Sequence, residues 1–214
     1  LILKPDGNGK LSKRDGEKFG FPVFPLDFTD PTTGAISNGY REQGYFPEAF
    51  INFLALLGWS PADDKEILSL EEMTKEFDLY KVHKAGARFS KEKAEWFNQQ
   101  YLQKKSNEEL LDLFKQLPEV ASSTLSDEQL LTIVSLMKER ATFVKDMYIG
   151  GEFFFKAPTS YEEKAAKKAW GETTSEVISG LAKTLENVEF NAENLKNTIH
   201  DYAEAKSLGM GKVM

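Results

Sequence analysis

A chain of 214 residues, 41% hydrophobic and 29% charged, is long enough to bury a real core as one large domain or two smaller ones. Its 27 Lys and Arg against 34 Asp and Glu leave a net charge of −7, which argues against indiscriminate nucleic-acid binding and confines any cationic face to a local patch. With no cysteine and only two histidines, disulfides and thiolate metal sites are excluded and a protein-ligated zinc is not expected; no apolar run approaches the roughly 18 residues of a membrane span.

The chain opens on Leu1-Ile2-Leu3, with no signal-peptide layout, and reads as a piece of something longer. Pro5-Asp6-Gly7-Asn8-Gly9 is strong turn chemistry. The turn sets Lys10, Ser12, Lys13 and Arg14 on an exposed, deformable loop closed by Gly16. Such a loop offers ammonium groups, a hydroxyl and closely approaching backbone to phosphate oxygens. The same residues also suit a hairpin tip that carries cations for solubility. Residues 17–39, with Phe19, Phe21, Phe24 and Phe28 among Pro22, Pro25 and Pro31, read as an irregular loop or short hairpin packing its aromatics on a neighbouring domain.

Pro47 opens a helix at its first turn, beside Glu48, where a missing N–H costs nothing and an acid suits the dipole. Ala49, Phe50, Phe53, Leu54 and Leu57 make its apolar face, and Gly58 the stop. Ser69/Glu72, Ser106/Glu109, Ser126/Gln129 and Thr173/Glu176 each fit the capping box. Trp96, Phe97 and Tyr101 mark the helix after Ser90. Leu110, Leu111, Phe114 and Leu117 form a stripe ended by Pro118; Leu130, Ile133, Val134 and Met137 form the next. Leu195, Ile199 and Tyr202 follow Asn191 as N-cap. From residue 69 onward this predicts a bundle of about seven helices with short connections. Strand character is confined there to Phe153-Phe154-Phe155. Hinges are expected at Lys104-Lys105-Ser106 and between 150 and 158.

Three basic clusters stand out: Lys81, Lys84, Arg88, Lys91 and Lys93; Lys138, Arg140 and Lys145; Lys164, Lys167 and Lys168. Each reads as a solvated helix face or as a phosphate contact. Lys138 and Lys145 would share one face if a single helix ran through both. His83, between Lys81 and Lys84, suits either a place near phosphate or an ordinary surface position.

Lys10-Leu11-Ser12-Lys13-Arg14 resembles the signature loop of class I aminoacyl-tRNA synthetases in its Lys-Leu-Ser-Lys-Arg form. Tyr40-Arg41-Glu42-Gln43-Gly44-Tyr45-Phe46-Pro47-Glu48-Ala49, running on through Asn52 to Pro61, is similar to the segment that follows that loop in bacterial-type glutamyl-tRNA synthetases. The resemblance continues through Phe77-Asp78-Leu79 and covers essentially the whole chain. Two departures are Asp15, where the family often has His, and the length of 17–39.

The resemblance implies a mainly α fold. Residues 1–60 end the catalytic region with the signature loop, 61–105 form a stem-contact helical module, and 106–214 form a helical anticodon-binding domain, incomplete at its C-terminus. The all-helical pattern favours the glutamyl branch, since glutaminyl enzymes of the subclass use β-barrels. It further implies glutamate activation by ATP with Mg2+ and transfer to tRNA-Glu, in a cytoplasmic monomer without membrane contact. Lys10, Ser12 and Lys13 are the implied catalytic residues. Lys13 contacts ATP, with Lys10 its companion and Ser12 stabilising the loop. Lys138, Arg140 and Lys145 are candidate tRNA contacts, and no metal ligands are assigned. Glutamate and ATP would also need an upstream nucleotide-binding fold, whose His-Ile-Gly-His signature has no match here, so this chain alone is expected to be inactive and to bind no cofactor. The competing expectations are a non-catalytic helical RNA- or protein-binding module, or a helical scaffold with an accidental basic loop.

Overall fold

The computed structural model describes residues 1–12 and 15–213. The chain divides into two compact units, Leu1–Lys156 and Ala157–Met214. That division falls inside the 150–158 stretch where a hinge is expected, while the boundaries at 60/61 and 105/106 fall within the first unit.

In chain order the first unit carries β1 (Ile2–Leu3), α1 (Asp15–Phe19), β2 (Phe28–Thr29), β3 (Ile36–Ser37), α2 (Tyr40–Gln43), α3 (Pro47–Leu56), α4 (Leu70–Glu76), β4 (Ala87–Arg88), α5 (Lys91–Lys104), α6 (Asn107–Phe114), α7 (Pro118–Ala121), α8 (Asp127–Met137) and α9 (Val144–Gly150). Short 3-10 turns lie at Leu79–Lys81, Lys138–Arg140 and Glu152–Phe154. Strands β1 and β4 pair in parallel, Ile2 opposite Ala87 and Leu3 opposite Arg88. Strands β2 and β3 pair antiparallel, so the 17–39 segment contains a short hairpin. Its turn is tied by Asp30, whose carboxylate accepts from the Thr32 and Thr33 N–H groups at 2.7 and 3.0 Å. The fold is mainly α, as the periodicity predicts, with nine α-helices after residue 69 among the described residues.

Local signals place most of these helices. Ser69, Ser106 and Ser126 each close the reciprocal capping box with Glu72, Glu109 and Gln129. Ser90 caps α5 and Pro47 stands in the first turn of α3. Thr173 does not cap: its own backbone is already helical (φ −92°, ψ −6°), and it is Thr174 that takes the Gly171 N–H on its Oγ1 at 2.9 Å. Phe153-Phe154-Phe155 is not a strand. The Gly151 N–H bonds back to Met147 and Tyr148, the chain keeps turning, and the Phe155 ring settles 5.0 Å from Tyr148 and 6.1 Å from Phe114.

One core cluster joins α6, α8 and α9 through Leu110, Phe114, Leu130, Ile133, Val134, Met137 and Met147. A second is aromatic: Phe21, Tyr40, Tyr45, Phe53, Phe89 and Phe97 bring the N-terminal segments onto α3 and α5. The α3 face differs from expectation, because Leu54 is exposed and Asn52 is fully buried. The Asn52 Oδ1 accepts from the Leu68 N–H at 2.9 Å and from the Tyr101 hydroxyl at 3.0 Å, so a polar residue enters the core as a connector. Asn98 does the same elsewhere, accepting from the Phe46 N–H at 2.8 Å and donating to the Thr142 carbonyl at 2.7 Å.

The second unit contains α10 (Glu163–Ala169), α11 (Thr174–Leu185), α12 (Ala192–Ala205) and a 3-10 turn at Met210–Lys212. Its described core is Leu181, Ala203 and Val213, flanked by half-buried Val177, Leu185, Ile199 and Tyr202. Asn191 caps α12 through the Asn194 N–H, as its position predicts.

Candidate functional site: a glycine hairpin, its basic exit and the cationic helix ends

The basic loop begins as a tight hairpin. The Gly7 N–H donates to the Lys4 carbonyl at 2.8 Å and the Lys4 N–H to the Gly9 carbonyl at 3.1 Å. Beyond it the Leu11 N–H returns to the Ile2 carbonyl at 2.9 Å. Gly7 (φ +79°) and Gly9 (φ +91°) both lie in the left-handed region that glycine tolerates. Gly7 has a second reason to lack a side chain, since a Cβ there would sit 2.8 Å from the Arg88 guanidinium.

The hairpin releases Lys10 and Ser12 at an exposed exit, and no ion pair holds Lys10 among the described residues. Ser12 is tied down: its N–H and hydroxyl both donate to Asp15 Oδ2, at 2.8 and 2.5 Å. The other carboxylate oxygen of Asp15 lies 3.1 Å from the Lys4 ammonium. These contacts hold the Asp15 carboxyl down at about 2, the Ser12 hydroxyl first, the Ser12 N–H next and Lys4 adding to them. Lys13 and Arg14, and with them the expected ATP contact, lie outside the described residues. Sequence reasoning registered Asp15 only as a departure from a family pattern. Its readable signal was the Ser-x-x-Asp spacing, which lets the acid reach back to the serine N–H three residues earlier.

The structure does not place Lys138 and Lys145 on one helical face. Helix α8 ends at Met137, tightens into the 3-10 turn Lys138–Arg140 and then extends at buried Ala141. A new helix starts only at Val144, because Asp146 accepts the Thr142 and Phe143 N–H groups and caps it. The Lys138 ammonium donates to the Lys105 carbonyl just beyond α5, which makes it a helix-end partner. Arg140 is exposed, and Lys145 is exposed with its ammonium 5.2 Å from the centre of the Phe143 ring.

The other clusters are partly paired. Lys93 meets Glu66 at 2.7 Å and lies 3.9 Å over Trp96; Lys167 pairs with Glu163. His83, Arg88, Ser90 and Lys93 line a cavity of about 330 Å³ together with Phe53, Leu57 and Phe97. The His83 N–H donates to the Gly58 carbonyl at 2.7 Å. Among the described residues no group of His, Asp or Glu converges to hold a metal ion, and no helix is long and apolar enough to cross a membrane.

Residues 31–96 match the family described as tRNA synthetases class I (E and Q), catalytic domain, and residues 109–214 match the family described as anticodon binding domain. The first of these stretches is therefore similar to the catalytic domain of class I tRNA synthetases. Among curated proteins the chain is 50% identical over 215 residues to the glutamate–tRNA ligase of Phocaeicola vulgatus and equally to that of Christiangramia forsetii, covering 100% of this chain and 43% of each relative. Among solved structures it is 64% identical to a glutamate tRNA ligase from Elizabethkingia meningosepticum in complex with its amino acid, with a TM-score of 0.96 over 100% of this chain and 43% of that one. Glutamate-tRNA synthetase from Elizabethkingia anophelis follows at 64% identity and a TM-score of 0.89, over 100% of this chain and 42% of that one. Over its whole length the chain is thus similar to glutamate–tRNA ligases. It spans about 43% of the length of the curated relatives it matches.

Proposed function

We propose that the chain is the loop-bearing and RNA-binding part of a glutamate–tRNA ligase, which joins glutamate to ATP as an adenylate with loss of pyrophosphate and passes the glutamyl group to tRNA-Glu. The observation that carries this reading is the unbroken likeness of all 214 residues to proteins of that name. In the first step charge gathers on the α-phosphate and the departing pyrophosphate. The lever open to a protein is cations placed where that charge develops.

Lys13 supplies that cation, Lys10 assists it, and Ser12 holds the loop in shape. Residues 61–105 contact the tRNA stem, and 106–214 read the anticodon with Arg140, Lys138 and Lys145 on or near phosphates. Of these, Arg140 and Lys145 are better placed than Lys138, whose ammonium already meets a carbonyl. Mg2+ enters with ATP. The setting is the cytoplasm and the working state a monomer.

The test is ATP–pyrophosphate exchange in the full-length enzyme carrying Lys13→Ala. Removing a charge-stabilising contact should raise the barrier by about 3–4 kcal/mol, or slow exchange roughly a hundred- to thousand-fold. A rate within a factor of two of the parent would remove the role given to Lys13. The chain on its own should show no exchange, and should bind tRNA-Glu modestly and with salt sensitivity, since each phosphate contact releases counterions.

A further inference from the structure

Among the described residues Asp15 is the one charged side chain that is buried, with 7% of its surface exposed. A buried carboxylate is costly unless its oxygens are taken up. Its partners among the described residues are the two donors of Ser12 and the ammonium of Lys4, all from the hairpin and its exit. The Asp15 N–H in turn donates to the Ser12 carbonyl at 3.0 Å, which makes the tie reciprocal.

Asp15 is itself fixed from the other side. A Cβ on Gly16 would stand 2.2 Å from Val23 Cγ2, so α1 starts hard against the 21–23 segment. The Phe21 N–H bonds to the Gly16 carbonyl at 3.1 Å, and the Phe21 ring lies 4.6 Å from Phe89. The Phe89 N–H closes the circuit on the Leu3 carbonyl at 3.1 Å, at the foot of the hairpin. Both ends of the hairpin are thus referred to one packed point, and the carboxylate dictates where Ser12 and Lys4 stand.

We propose that Asp15 is a positioning residue for the phosphate-closing loop, holding Ser12 by two bonds and neutralising Lys4 so that the cations left to meet phosphate are those beyond the hairpin. The proposal rests on the reading of this loop as the one that closes on ATP. Without the tie, the loop samples other conformers and its competent state is only fractionally populated, which weakens apparent ATP affinity by that fraction.

The experiment measures exchange kinetics in the full-length enzyme for Asp15→Ala, Asp15→Asn, Ser12→Ala, the double variant Asp15→Ala with Ser12→Ala, and Lys13→Ala as the control on the loop itself. Asp15→Ala should raise the KM for ATP about tenfold, corresponding to a competent fraction near a tenth, while the KM for glutamate stays within twofold. Asp15→Asn keeps an oxygen for Ser12 and should recover most of the loss. Ser12→Ala should raise the KM for ATP about threefold. The double variant should be no worse than Asp15→Ala, since both changes cut the same tie.

If Lys13→Ala slows exchange but Asp15→Ala leaves the KM for ATP unchanged, the positioning role is wrong and the loop reading survives. A rise shared equally by ATP and glutamate, with a lower unfolding midpoint, marks a general packing role and overturns the proposal. An unaffected Lys13→Ala overturns the loop reading and this proposal together. Should Asp15→Ala fail to fold, Ser12→Ala and Asp15→Asn decide alone: an unchanged KM for ATP in Ser12→Ala rejects the tie.

Discussion

In the first unit, buried rings and two fully buried asparagines link segments far apart in sequence, whereas the described core of the second is Leu181, Ala203 and Val213 inside a ring of half-buried side chains. The contrast shows what dense burial permits. Asn98 reaches across 52 residues to Phe46 and across 44 to Thr142, a use of a polar side chain that works only where water is excluded. In the second unit the comparable link is one Tyr202 hydroxyl donating to the Val177 carbonyl at 2.9 Å, at a half-buried site. The first unit should therefore resist opening as a block, and the second should exchange its amides at lower free energy.

The sharpest way to break the contrast is to empty the first core. Phe114 is fully buried, and Phe114→Ala should cost about 3–5 kcal/mol in a urea titration of the whole chain. A loss below about 1 kcal/mol would mean that this core is no denser than the other. Next in size is Asn98→Ala, which strands a buried N–H and a half-buried carbonyl and should cost about 1–3 kcal/mol. An effect no larger than that of an exposed alanine substitution would show that water replaces the asparagine. In the second unit a Cβ at Gly180 would stand 2.2 Å from the Tyr202 hydroxyl. Gly180→Ala should cost about 1–3 kcal/mol and speed amide exchange in α11 and α12 alone; equal acceleration in α6 and α8 would erase the distinction between the units.

The smallest effect is acid sensitivity. Lys65 first, then the N–H and hydroxyl of Ser69, hold the Glu72 carboxyl at about 2, below its ordinary 4.5. A depressed carboxyl stabilises the fold fully above its unfolded value and loses that contribution as pH falls through its folded value. The start of α4 should therefore loosen between about pH 4.5 and pH 2, and the Asp15 tie between about pH 3.8 and pH 2. Amide exchange at Glu72 that does not change over its range would count against the first, and unchanged exchange at Ser12 against the second.

What could be read from the sequence was whatever is encoded within a turn or two. The three serine boxes and the Leu130–Met137 stripe are local patterns, and the chain follows them. Tertiary override hid the rest. The α3 face differs at Leu54 and Asn52, because the Leu68 N–H and the Tyr101 hydroxyl both donate to the buried Asn52 oxygen, contacts that no local pattern shows. The single helix that would set Lys138 and Lys145 on one face does not form, because the Asp146 carboxylate accepts the Thr142 and Phe143 N–H groups, a competing cap inside a helical-looking run. At the loop the basic residues and their hairpin were legible, but the importance of Asp15 was not. Its meaning depends on Lys4, eleven residues away, and on packing that places it out of water.

The pairing of β1 with β4 has a consequence for the order in which the molecule is made. Joining Ile2 to Ala87 closes a chain segment of 85 residues, an entropic cost of about 4 kcal/mol. The ladder answers with only a few bonds, among them Ala87 N–H to Leu1 and Phe89 N–H to Leu3 at its ends, each worth about 1 kcal/mol net. So short a ladder does not nucleate that closure. The rings of Phe53 and Phe97 on α3 and α5, and Phe21 against Phe89, must first bring the two ends together. The glycine hairpin is thus seated late in folding, on a helical platform already assembled. Pulsed hydrogen exchange during refolding should protect the Ala87 and Phe89 amides after those of α5; the reverse order would mean that the strand pair leads.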